Sequence, residues 1–200
     1  MDIGHTVRAL LTGVPHLLLG GRSSVRAGAE RLASARLGVR GLPAIIPMDS
    51  VAFDAGGPIP SRYTADGDSL TPPLLWRDVP ERTRSLVLFA EDPDAPTPLP
   101  FVHWIALMPP ESRSLGILLS KEQAARVETG RTTLLRTGWV GCAPPRGDTP
   151  HHYHFQLFAL DREFHHLGTH PGRSALLREM KGHVLGFGEL VGTYQRGPLH

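Results

Sequence analysis

From residue 45 onward, short apolar runs alternate with loops dense in proline and glycine, a rhythm that predicts strands rather than helices. Candidate strands lie near 48–53, 74–77, 85–90, 102–107, 153–160 and 189–194. Two regions carry most of the information. Along the run from His151 to Leu160, side chains alternate between faces. His151, Tyr153, Phe155, Leu157 and Ala159 therefore share one face, and His152, His154 and Gln156 share the other. The first face is the more apolar, with an imidazole and a phenol at its mouth that need polar partners. The run from Ser85 to Ala90 is continuously apolar, as in a buried strand. It stops at residues 91–100, where four prolines exclude helix and regular ladder alike. The chain resumes as a strand from Phe101 to Leu107, on which alternation puts His103 on the face of Ile105 and Leu107. Two strands joined by a rigid loop place the Asp92/Asp94 pair and His103 at one sheet end.

A helical period appears elsewhere. Val7, Leu10, Leu11, Val14, Leu17 and Leu18 make one amphipathic stripe, divided or kinked at Pro15. A second, weaker helix is predicted from Ser24 to Leu37. Residues 1–40 hold six arginines against Asp2 and Glu30, whereas the rest carries 15 basic and 17 acidic side chains. The whole-chain net charge of +2 thus hides a basic N-terminal part. We divide the chain into a helical extension, 1–44, and a β domain, 45–200. The stripe is too apolar to sit in water alone, so it is expected to dock on the β domain or on a second copy, giving a homodimer. A membrane-surface role for the arginine-bearing helices is the alternative. Within the β domain, 121–128 reads as a helical turn or two, 132–137 as a short strand, and 173–181 as a helix stopped by Gly182.

Composition narrows the class. Hydrophobic content of 40% and charged content of 20% over 200 residues suit one soluble globular domain with an appendage. The single cysteine, Cys142, rules out an intrachain disulfide and reads as a small residue filling a tight loop. No stretch approaches the roughly 18 apolar residues of a membrane span. Residues 10–21 are interrupted by Gly13, Val14, Pro15 and His16, unlike a signal peptide's core, so a cytoplasmic chain is expected. Seven of the eleven histidines fall between His151 and His183, but without metal-ligand spacing, and no metal or cofactor is expected. Nucleotide-binding loops and nucleophile-elbow motifs are missing too, and nothing points to nucleic acid.

The candidate chemistry is anion binding. Two imidazoles, a phenol and the backbone N–H groups of a tight loop supply the donors that phosphates and carboxylates require. Asp92 is a poor anion ligand itself, and its expected role is to accept a hydrogen bond from an imidazole and favour the protonated ring. Asp92 and Asp94 together are expected to cap a turn. Taken alone, His103 reads equally as a satisfied core histidine. If imidazolium groups hold the anion, affinity falls as pH rises through about 6.5 or somewhat higher. Ala95–Pro96, and less so Pro144–Pro145, are candidate cis peptides.

These residues carry a resemblance. Asp92-Pro93-Asp94-Ala95-Pro96, then His103-Trp104 within a strand, then the block from Gly141 through Pro144-Pro145 and Gly147 to His151 and Tyr153 occur in an order similar to that of the phosphatidylethanolamine-binding protein family, also called Raf kinase inhibitor-like. The chain looks most like the family's bacterial branch, over residues 49–196. Further blocks support it, among them 53–60, 63–67, 72–76, 180–185 and 189–194. The resemblance implies a β-rich fold of two packed antiparallel sheets with peripheral helices. It also implies a ligand pocket of Asp92, His103, His151 and Tyr153, walled by Pro96, Gly141, Ala143 and Pro144. The expected ligand is a small anion, a phosphate ester or phospholipid head group, bound without turnover and with roughly micromolar to millimolar affinity for a bare head group. Inhibition or regulation of a kinase or protease is the family's other activity, and a weak hydrolase using His103 and Asp92 is a third reading. One departure stands out: the family usually has Arg between the last His and Tyr, where this chain has His152.

Overall fold

The computed structural model describes residues 25–39, 41–42, 45–117, 119–164 and 168–198. Two antiparallel sheets form the body. The smaller consists of β1 (Met48–Asp49), β2 (Leu74–Trp76) and β5 (Ser114–Leu115), in the order β1-β2-β5. The larger consists of β3 (Ser85–Asp92), β4 (Phe101–Met108), β6 (Glu128–Thr129), β7 (His151–Leu160) and β8 (Val184–Tyr194), in the order β6-β4-β3-β7-β8. Among the described residues three short α-helices lie outside the sheets: α1 (Ala33–Leu37), α2 (Lys121–Ala124) and α3 (Arg173–Met180). The expected β-rich architecture of two packed antiparallel sheets is therefore present. None of the helices among the described residues is long and apolar enough to cross a membrane.

Alternation along the central strands builds two cores. Leu86, Leu88 and Ala90 of β3 join Tyr153, Phe155 and Leu157 of β7, packing against Met48, Leu74, Trp76 and Leu115 of the small sheet. Val87 and Phe89 face the other way and join Phe158 and Leu160, under Ala33 of α1 and Leu176 and Met180 of α3. Every residue of β3 is buried, which explains the unbroken apolar run from Leu86 to Ala90. Full burial of each large side chain there contributes roughly 1.5–3 kcal/mol. The edge strand β8 is covered by the segment before and after β1, through Ile46 N–H to Phe187 O (2.8 Å) and Ile59 N–H to Thr193 O (2.7 Å).

The expected boundaries shift where loop chemistry overrides apolar pattern. The strand predicted at 48–53 is cut to Met48–Asp49, because the chain then bends away to run beside β8. The predicted strand at 132–137 is a turn, with Leu135 at φ 59° and a single bridge between Arg131 and Thr137. The helix predicted from Ser24 is a 3-10 turn, Ala29–Arg31, followed by α1. Gly28 at φ 76° and Leu32 in extended conformation break it. Gly182 at φ 82° follows α3 as expected. α2 carries a capping box between Ser120 and Gln123. Neither proposed cis bond exists: the described peptide bonds are all trans, the fixed φ of each proline being accommodated by the loop itself. The stripe from Val7 to Leu18, with the dimer it implied, lies outside the described residues.

Part of the basic N-terminal segment is built into the domain. Ala27, Leu32, Ala33 and Val39 are buried. The N–H of Ala33 donates to the Glu91 carboxylate (2.8 Å) and that of Ser34 to the Gln156 side chain (2.9 Å). Glu91, wholly buried, also accepts from Gln156 Nε2 and Arg173 Nε. Four otherwise unpaired groups of the segment, β7 and α3 are thereby satisfied at one carboxylate and one amide.

Candidate functional site

The end of β3 and the start of β4 meet the start of β7, and there the predicted polar residues come together. Asp92, His103, His151 and Tyr153 are each at most 4% exposed, so they form a closed cluster rather than an open pocket. His151 Nδ1–H donates to Asp92 Oδ2 at 2.8 Å. The other Asp92 oxygen accepts the N–H groups of Asp94 (2.8 Å) and Ala95 (3.0 Å), so the carboxylate also caps the proline-rich turn. His103 Nδ1–H donates to Val140 O at 2.7 Å. Its ring lies edge-on to Tyr153, with centroids 5.1 Å apart, and is flanked by Phe101 and Trp139.

His103 reaches this cluster by a device that alternation could not reveal. Pairing of β3 with β4 slips after Ala90: Ala90 faces Trp104, but Glu91 faces Val102. His103 is the extra residue of a β-bulge. Ile105 and Leu107 belong to the core under the helices, whereas His103 turns to the Tyr153 side, correcting the predicted face.

Electrostatics separate the two imidazoles. Burial pushes the His103 pKa down, which outweighs the Val140 carbonyl and the Asp92 charge, so this ring is neutral near pH 7. For His151, burial also acts downward, but the hydrogen bond and charge of Asp92, with Asp148, more than offset it and raise the pKa. The Tyr153 hydroxyl is buried without a hydrogen-bond partner of ordinary geometry, with only the soft Cys142 thiol beside it. Burial raises the pKa of both the phenol and the thiol, so both stay protonated. Cys142, fully buried, is the space-filling residue its context predicted.

Two residues complete the cluster that sequence reasoning did not single out. Asp148 Oδ2 lies 3.3 Å from His151 Nε2. Arg26 Nη2 donates to both Asp148 oxygens, at 2.8 and 2.7 Å, while Nη1 donates to the Asp94 carbonyl and lies 3.5 Å from His151 Nε2. Bonds from Arg26 and His151 outweigh partial desolvation and hold the Asp148 carboxyl below its usual range. Asp148 sits three residues before His151, and that spacing was the available signal. Arg26 is 125 positions from His151 and had none.

The predicted wall residues lie on two loops, 93–100 and 141–147. Pro96 is half-buried, Ala143 exposed and Pro144 buried. Gly141 serves the packing of the loop instead. A Cβ there would stand 2.7 Å from Ala65 N and 2.8 Å from Thr64 C, so the backbone needs glycine to approach that turn. Arg146 is exposed and 3.9 Å from Asp66. His152, at the family's arginine position, presents both its N–H and its ring Nδ1 to Asp94 Oδ2 (2.9 and 2.8 Å). The remaining described histidines of the C-terminal half are dispersed: His154 meets Glu189, His183 meets Asp161 and His170 meets the Thr129 carbonyl.

Comparison with known proteins adds to this geometry. Residues 49–195 match the model of the family described as phosphatidylethanolamine-binding protein. A UPF0098 protein of Pyrococcus abyssi is 40% identical over 144 residues, covering 69% of this chain and 79% of its own length. The crystal structure of a phosphatidylethanolamine-binding protein homolog from Chlamydia trachomatis aligns with TM-score 0.68 and 32% identity, over 76% of this chain and 98% of that one. Escherichia coli YbcL, described as a member of the mammalian family, aligns with TM-score 0.68 and 25% identity, over 76% and 99%.

Proposed function

The chain belongs to the phosphatidylethanolamine-binding protein family, and on that footing we propose that it binds small anions at the His151 cluster without catalytic turnover. The ligand class is a phosphate ester or phospholipid head group. The observation that carries this reading is the position of the Asp148 carboxylate, seated against His151 Nε2 and the Arg26 guanidinium. A protonated imidazole backed by a buried carboxylate, with a guanidinium beside it, is chemistry for an oxyanion. His103 acts as the neutral, fixed wall of the site, its Nδ1–H spent on Val140.

Affinity follows from few contacts. Charge-assisted hydrogen bonds contribute roughly 1.5–3 kcal/mol each. Two or three of them, against an association cost of at least about 4 kcal/mol, leave no more than about 5 kcal/mol, so binding is weak, on the order of millimolar. Calorimetric titration with O-phosphorylethanolamine should show saturable binding that His151→Gln removes. Binding that survives His151→Gln unchanged would place the anion elsewhere, and steady release of phosphate would replace the binding reading with a hydrolase.

A further inference from the structure

Resting on the reading of the His151 cluster as an anion site, we propose that this site is self-occupied. The Asp148 carboxylate holds the ligand's place on His151 Nε2, and a phosphate oxyanion binds by replacing it between His151 and Arg26. Arg26, from outside the family-matched residues 49–195, is then the ligand's cationic partner.

The cluster has a fixed layer and an exchangeable one. The His151–Asp92 pair is sealed, with side chains 1% and 4% exposed, whereas Arg26 and Asp148 are 36% and 24% exposed. An incoming anion can reach the upper pair without opening the lower. Geometry suits the exchange, because the guanidinium fork that grips two carboxylate oxygens grips two phosphate oxygens equally well. Charge suits it too. Replacing one anion by another leaves neither Arg26 nor the His151 imidazolium stranded without a counter-charge, so the exchange avoids the cost of an unpaired cation.

Arg26 is positioned by a built segment rather than delivered by a loose tail. Ala27 is buried beside it, and the Gly28 N–H donates to the Pro93 carbonyl at 3.2 Å. Gly28, at φ 76°, makes a turn that side-chain-bearing residues adopt at a cost. Arg31 then donates to the Pro98 carbonyl (2.7 Å), and Ala33 and Ser34 are held by Glu91 and Gln156. The segment thus follows the 93–100 loop and sets Arg26 over the only His151 nitrogen that Asp92 does not use.

The test is calorimetric titration of the full chain with inorganic phosphate and, separately, with glycerophosphoethanolamine. Asp148→Asn, which removes the internal competitor, should tighten binding about fivefold, the scale of a partly exposed ion pair. Arg26→Ala should weaken it about tenfold or more, and Arg26→Lys should fall between, because one ammonium cannot reproduce the fork. Both positions are partly exposed, and matching thermal melts confirm that the variants are folded. Preference for inorganic phosphate or for the soluble head group assigns the ligand's source, and either supports the exchange. Equal affinity in the wild type and Asp148→Asn overturns the proposal and leaves the anion site standing. So does tighter binding by Arg26→Ala, which would make Arg26 a plug. Silence from wild type and Asp148→Asn alike overturns the anion site and this proposal together.

Discussion

Glu91 and Asp92 are neighbours on β3, both buried and each accepting hydrogen bonds from three donors, yet they serve opposite ends. Glu91 points under the helices, where its donors are a backbone N–H, an amide and a guanidinium. All three are fixed donors, so the carboxylate acts as a staple for residues 25–39 and α3. Asp92 points to the opposite face, where two donors are backbone and the third is an imidazole. That third donor can lose its proton and has a second nitrogen facing Asp148 and Arg26. Equal burial and equal saturation therefore do not imply equal function. What separates the two is whether the last partner in the chain of bonds is fixed or titratable.

The largest expected effect falls on the staple. Glu91→Ala leaves the Arg173 guanidinium, 12% exposed, without its counter-charge and strips partners from Ala33 and Gln156. Breaking a buried pair from one side costs about 3–5 kcal/mol, and denaturant unfolding should show a loss of that size. Limited proteolysis should then cut first within residues 25–39. A loss below about 1 kcal/mol, smaller than a single buried hydrogen-bonded charge is worth, would mean that Glu91 is no staple and that the contrast fails.

Asp92→Ala should cost less, about 1–3 kcal/mol, since His151 answers by shedding its proton and the turn loses only two capping bonds. The sharper readout is the ring itself. Its pKa, followed by NMR, should drop toward or below the ordinary histidine value once burial acts without Asp92 to offset it. An unchanged His151 pKa in Asp92→Ala would transfer the tuning to Asp148.

The two imidazoles should bend the stability curve at opposite ends. His151, faced by Asp92, Asp148 and Arg26, has a raised folded pKa. Its contribution is complete below the unfolded value of about 6.5 and is lost as pH rises through the folded value. His103, faced by the Val140 carbonyl, Asp92 and His151, has a lowered folded pKa. Stability is unaffected by it above about 6.5 and falls as pH drops from there toward the folded value, where the unfolded chain alone takes up the proton. His151→Gln should flatten the alkaline limb and His103→Gln the acid limb. Urea midpoints measured from mildly acid to mildly alkaline pH in which one variant flattened both limbs would show the rings to be a single coupled unit.

Sequence made one half of this comparison visible and hid the other. β7 was legible because Tyr153, Phe155 and Leu157 alternate with the polar His152, His154 and Gln156, and Tyr153 fell on the inner face as read. β3 was legible because a strand buried on both faces is continuously apolar. His103 was misplaced because a bulge changes parity without leaving any mark in residue type. The staple was illegible for a similar reason: Glu91, Gln156, Arg173 and Ala33 lie far apart along the chain, joined only by tertiary hydrogen bonds. Arg26 was counted among the basic side chains of a helical extension, and composition alone cannot tell a solvated arginine from one seated over an imidazole. In the small sheet, β2 was read at 74–77 and β1 within 48–53, whereas the two-residue β5 is too short for any period to register.

The smallest expected effect concerns Tyr153, whose buried hydroxyl lacks a hydrogen-bond partner. An unpaired buried polar group costs free energy, so removing it by Tyr153→Phe should leave stability unchanged or raise it by up to about 1 kcal/mol. The ring's packing against His103 is kept, since the edge-on contact at 5.1 Å involves the ring rather than the hydroxyl. Nothing on the staple side offers a comparable gain, because there every polar atom named above is paired. If the anion site is as proposed, this hydroxyl is the donor still free to serve a bound oxyanion. Tyr153→Phe should therefore separate two readouts that move together in most core variants. The melting temperature should hold or rise, while phosphate affinity falls about threefold to tenfold, the scale of one hydrogen bond. A variant that loses stability and keeps its affinity would instead make Tyr153 part of the scaffold, leaving His151, backed by Asp92, and Arg26 to bind the anion alone.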